Sequence, residues 1–173
     1  MTLQNLLSLS FIIVLTSLSS CQQEESFSFV FMTDMHVQPE RNAIAGFNQA
    51  IETVNQLNPD FVITGGDLIM DALGQTYSRS DSLYTIYDTL SAKIKAPVYN
   101  TIGNHEVFGI YKNGGIDPEN PLYGKELYRQ RVHKDTYYSF NMKNWHFMVL
   151  DVIGYTPEER YFGHVDSLQM EWI

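Results

Sequence analysis

Apolar residues recur along this chain with two periods, and the change from one to the other marks out its elements. Ser26–Met32 reads S-F-S-F-V-F-M, so Phe27, Phe29 and Phe31 alternate with Ser26, Ser28 and Val30 at the period of a strand. After Pro39-Glu40, Ile44, Phe47, Ile51 and Val54 fall at helical spacing, which predicts a helix over 41–57 with one face on a sheet. Asn58-Pro59-Asp60 stops that helix. Phe61–Thr64 is a short continuous apolar run and reads as a buried strand. Strand, helix and strand in this order predict a parallel crossover unit. The unit then extends: a helix over 80–95 carries Leu83, Tyr87, Leu90 and Ile94 on one face. Ala96-Pro97 ends it, and Val98–Ile102 is a third strand. The predicted fold class is α/β, a sheet with flanking helices.

The rest is less regular. Residues 106–134 contain Gly114-Gly115, Pro118 and Pro121, and predict a loop insertion near the strand ends with a helical turn at 125–131. Tyr137–Phe140 and Trp145–Leu150, joined by Asn141-Met142-Lys143-Asn144, predict a hairpin. Asp166-Ser167 is a possible helix start.

Composition narrows the chemistry. The 173 residues suffice for one domain, and 44% hydrophobic content supplies a core. Net charge is −9 with no basic runs, so nucleic-acid binding is not expected. Small phosphorylated ligands remain compatible, because a bound metal supplies local positive charge. The leader differs from the rest: 3–18 is apolar and no charge precedes Glu24. It is short for a membrane span and fits a signal peptide over 1–20. Leu18-Ser19-Ser20-Cys21 resembles a bacterial lipobox. Cys21 would then be lipidated and 21–26 would form a polar tether. The expected location is across the inner membrane, as an outer-membrane or periplasmic lipoprotein. Cys21 is the sole cysteine, which excludes internal disulfides and thiolate metal sites.

Three polar motifs each follow a predicted strand: Asp34-Met35-His36, Gly65-Gly66-Asp67 and Gly103-Asn104-His105-Glu106. Ligands gather at the carboxyl ends of strands in open α/β sheets, so these motifs should share one rim. At a strand end Asp34 and His36 would point to the same side and reach one ion. Asp67 has two carboxylate oxygens and could bridge two ions. Asn104 offers a neutral amide oxygen. His105 could protonate a leaving alkoxide, since imidazole titrates near neutrality. Glu106 is expected either to orient that imidazole or to be solvated.

Together these blocks resemble the calcineurin-like metallophosphoesterase superfamily, whose pattern runs D-x-H, G-D, G-N-H-D/E, a later His and G-H-x-H. The match covers about Phe29 to Glu106, and the hairpin ending in Leu150-Asp151 is similar to the next segment. The resemblance implies the N-terminal part of a β-sandwich flanked by helices over 27–173. It further implies that Asp34 and His36 bind one metal, Asp67 bridges two, Asn104 binds the second, and His105 assists the leaving group. A hydroxide on two divalent ions (manganese, iron or zinc) would attack phosphorus in a phosphorylated small-molecule or macromolecular substrate. The later His and G-H-x-H are missing: Gly163-His164-Val165-Asp166 has Asp where a second His is required. The expectation is therefore a C-terminally incomplete phosphoesterase domain, inactive by itself. The alternative is a non-catalytic surface lipoprotein of degenerate phosphoesterase fold that binds metal or phosphate. His133, His146 and His164 are expected to be surface residues.

Overall fold

The computed structural model describes residues 26–156 and 160–173. Cys21, the leader and most of the tether lie outside them. Three parallel strands, β1 (Phe29–Met32), β2 (Phe61–Thr64) and β3 (Val98–Tyr99), form a sheet in the order β1-β2-β3. Phe29 pairs with Phe61 and Val62 with Val98. Helices α1 (Ala43–Leu57) and α2 (Tyr77–Ser91) connect them, as the periodicity predicts.

The two sheet faces bury different chemistry. Val30, Met32, Val62 and Val98 join one core with Phe47, Ile51 and Val54 of α1 and Leu83, Tyr84, Tyr87 and Leu90 of α2. Phe47 and Tyr87 stack between the two helices at 6.0 Å. The opposite face is aromatic. There the hairpin of β4 (Tyr138–Met142) and β5 (Trp145–Val149) lays Phe140 and Phe147 against Phe61, with ring centroids 5.5 and 5.2 Å away. Phe27, Phe29 and Tyr99 complete the ring of contacts around Phe61. Phe31, at the far end of β1, stays 60% exposed.

Phe61 is fully buried at the junction of sheet and hairpin. Phe61→Ala should destabilise by ~3–5 kcal/mol, a large share of the ~5–15 kcal/mol typical of a domain. Urea unfolding followed by near-ultraviolet dichroism measures this. A loss below ~1 kcal/mol would show that the hairpin does not depend on this ring.

Several boundaries differ from those the periodicity predicts. Helix α2 starts at Tyr77 rather than at 80, because the Thr76 hydroxyl accepts the Arg79 N–H as an N-cap. It stops at Ser91 instead of 95. Strand β3 ends at Tyr99 rather than Ile102 because side chains take its next main-chain groups. The Asn100 carbonyl accepts the Tyr128 and Tyr138 hydroxyls, and the Thr101 N–H donates to Thr64 Oγ1. The hairpin turn is Lys143-Asn144 rather than four residues, with Lys143 left-handed at φ 52°.

The stretch after Glu106 is not a loose insertion. Val107, Phe108, Leu127 and Tyr128 are fully buried. The predicted helical turn is α3 (Glu126–Arg131), and Arg131 ties it to α2 through Asp81, Thr85 and Asp88. A second antiparallel pair, β6 (Ile153–Thr156) with β7 (Arg160–Gly163), was not predicted. Helix α4 (Ser167–Trp172) begins where Asp166 caps the Gln169 N–H. Gln169 is buried and brackets Asp151, accepting its N–H at 2.8 Å and donating to its carbonyl at 2.7 Å. No helix among the described residues is long and apolar enough to cross a membrane.

Candidate functional site

Beyond the carboxyl ends of β1 and β2 the chains stay paired. The Asp34, His36 and Val37 amides donate to the carbonyls of Gly66, Asp67 and Leu68, at 3.2, 3.0 and 3.0 Å. The first two motif loops therefore run side by side, and the Ala72 amide donates to the His105 carbonyl to bring in the third.

Asp34 and His36 do meet, with His36 Nε2 3.6 Å from Asp34 Oδ1. The route differs from the strand alternation expected. Strand β1 ends at Met32, and both residues take left-handed backbone, φ 58° and 44°, while Met35 packs on the core. Asp67 is also left-handed at φ 52°. Non-glycine residues rarely adopt this conformation, and it concentrates where function holds the backbone. Gly66 takes φ 91°, and a Cβ there would stand 2.6 Å from the Gly103 nitrogen, so the second and third loops touch backbone to backbone.

Asp67 divides its carboxylate between neighbours. Oδ2 lies 3.9 Å from His36 Nε2, and Oδ1 accepts the His105 N–H at 3.2 Å. His105 stands edge-on to His36 with ring centroids 4.5 Å apart. Its Nδ1 bonds the Met70 carbonyl. A carbonyl can only accept, so Nδ1 carries the hydrogen and Nε2 is left for other chemistry. Asn104 opens the one-turn 3-10 segment that carries His105 and is half-buried.

The donor set fits a divalent ion. Separations of 3.6 and 3.9 Å are too long for hydrogen bonds. Donors each ~2.1 Å from a shared ion stand ~3–4 Å apart. One ligand atom each from His36, Asp67 and His105 lies within 4.8 Å of the others. The side chain of Asp34, 60% exposed, leaves the space open on its outer side. Imidazole and carboxylate together suit manganese, iron or zinc. His36 Nδ1 is buried without a hydrogen-bond partner among the described residues.

Glu106 departs from both expectations. It is fully buried, and its carboxylate accepts main-chain N–H groups from Asp67, Leu68, Ile69 and Gly103. Burial pushes its carboxyl up to about 7, and the Asp67 charge adds to this. The amides of Ile69, Gly103 and Asp67 pull the other way. Its place directly after Gly-Asn-His was the available signal. Behind it, the buried Tyr84 hydroxyl donates to the Glu106 carbonyl, and Tyr87 donates to Asn100 Oδ1. Tyr84 and Tyr87 of α2 are therefore packed in the core, whereas Tyr77 at its start is exposed. His146 and His164 are exposed, whereas His133 is half-buried and stacks on Tyr138.

The family model of the calcineurin-like phosphoesterases matches residues 27–170. Among solved structures, the crystal structure of a dimetal phosphatase from Danio rerio is similar with a TM-score of 0.53 and 17% identity. The likeness covers 73% of this chain and 44% of that one, so the chain spans less than half the neighbour's length. At that identity it speaks for the fold. No curated protein matches the chain.

Proposed function

Since the chain belongs to the calcineurin-like phosphoesterase family, we propose that its rim site serves metal-dependent hydrolysis of phosphoester bonds. The observation that carries this reading is the meeting of Asp34, His36, Asp67 and His105 from three separate loops. In it, Asp34, His36 and Asp67 would hold one divalent ion, and Asp67 with Asn104 would contribute to a second. Bound there, the two ions would supply a water deprotonated to hydroxide and offset charge on the phosphoryl oxygens.

The chain's own residues do the rest. Asp67 faces His36 with one oxygen and the His105 loop with the other, so it couples both halves of the site. His105, its tautomer set by the Met70 carbonyl, presents Nε2 toward the rim. As the imidazolium, with Nε2 protonated as well, it would give that proton to the departing alkoxide and return to the neutral Nδ1–H form. Left-handed backbone at Asp34, His36 and Asp67 holds the donors in place before a ligand arrives. On the same reading the domain works outside the cytoplasm, tethered to a membrane through a lipidated Cys21, and its substrate is a phosphorylated molecule.

The test is hydrolysis of nitrophenyl phosphate and bis(nitrophenyl) phosphate by the intact protein, before and after chelation. Chelator should abolish turnover, and manganese, iron or zinc should restore it. Turnover that survives exhaustive chelation would contradict a metal-dependent reaction.

A further inference from the structure

We propose that Glu106 is a positioning residue of this site, one that holds the loop bearing Asp67 in register with the loop bearing Asn104 and His105. This rests on the metal-binding reading above. The carboxylate is sealed from solvent and each oxygen serves two donors. Oε2 accepts the Asp67 N–H at 2.9 Å and the Gly103 N–H at 2.7 Å, and so links the second loop to the third. Oε1 accepts the Leu68 N–H at 2.8 Å and the Ile69 N–H at 3.1 Å.

These four amides bracket the groups that matter. Asp67 itself supplies one of them and sits in left-handed backbone, a conformation its successors' amides help to fix by pointing at one anion. Gly103 directly precedes Asn104 and His105. Two other hydrogen bonds cross between these loops, the His105 N–H to Asp67 Oδ1 and the Ala72 N–H to the His105 carbonyl, and the Oε2 pair adds the link that joins the Asp67 main chain to the Gly103 main chain. The Gly66–Gly103 backbone contact brings the loops close, but it is a packing contact without direction. Glu106 thus acts on metal donors it does not touch through their side chains, the part outer-shell carboxylates play in metal sites.

Glu106→Gln isolates this role. The amide keeps the shape, yet its NH2 group must face two N–H donors in either orientation. Manganese titration followed by calorimetry, at a temperature where circular dichroism shows each variant folded, should give an affinity ~10–100-fold weaker than wild type. Glu106→Asp keeps the charge on a shorter stem and should fall between. Leu127→Ala removes a fully buried side chain of α3 and lowers the melting temperature, but should leave manganese affinity within about twofold. Wild-type affinity in Glu106→Gln would overturn the proposal and leave Glu106 a stability residue. If Glu106→Gln does not fold, wild-type affinity in Glu106→Asp overturns it equally. Failure of the wild-type protein to bind manganese would instead overturn the metal reading, and this inference with it.

Discussion

Asp67→Asn is expected to strip metal from the protein and reduce hydrolysis by more than the ~10–100-fold that loss of an outer-shell partner costs. The substitution tests charge with little else disturbed. Asn adopts left-handed backbone readily, so φ 52° at this position is retained. The carboxylate now spans two environments, with Oδ2 toward His36 and Oδ1 accepting the His105 N–H. An amide has one oxygen for these two places. With its oxygen toward His105, its NH2 group faces the metal space. Turned over, the NH2 group opposes the His105 N–H. Either way the site loses a negative charge and gains a donor where an acceptor is required. Metal content by mass spectrometry should fall at both proposed positions. Two metals per chain with near-normal turnover would show that Asp67 does not bridge.

His105→Ala should lower kcat by ~10²–10⁴ for alkyl phosphates, the usual worth of general acid catalysis. The main-chain links of residue 105, its N–H to Asp67 and its carbonyl to the Ala72 amide, do not involve the ring, so the variant removes the imidazole and keeps the loop anchored. The loss should shrink toward unity for nitrophenyl phosphate, whose leaving group departs without a proton. Metal content should hold. The ring also stands within 4.8 Å of donor atoms of His36 and Asp67, which gives this experiment a second outcome. Equal losses for good and poor leaving groups, with metal lost as well, would make His105 a ligand and not an acid.

How the sequence foretold this site is instructive. Helical periodicity found α1 and α2 because each buries one face, and β2 stood out as a continuous apolar run because neighbouring Phe61 and Val62 are both fully buried. Strand β1 stood out through alternating phenylalanines, although Phe29 and Phe31 are 46% and 60% exposed. The sequence pattern placed the three motifs on one rim because parallel strands end on the same side. It misread the means: Asp34 and His36 meet through left-handed turns, which no pattern of side chains announces. The Met70 carbonyl behind His105 is a main-chain group and invisible to any reading of residue types. Glu106 was visible but ambiguous, since a glutamate beside a histidine looks the same whether it faces water or four buried amides. Residues 106–134, apart from the helical turn at 125–131, read as loop because short turns break their periodicity. Yet Phe108, Leu127 and Tyr128 are buried through contacts distant in sequence. Strands β6 and β7 were missed because Gly154 and Gly163 dilute a four-residue signal.

Anomalous X-ray scattering at the manganese edge, from crystals of the protein grown with manganese, tests the central claim most directly. The expected result is a peak between His36 Nε2, Asp34 and Asp67, with a second ~3.5–4 Å away on the Asn104 side of Asp67. A difference map without a peak at this rim, in crystals that bind manganese elsewhere, would contradict it.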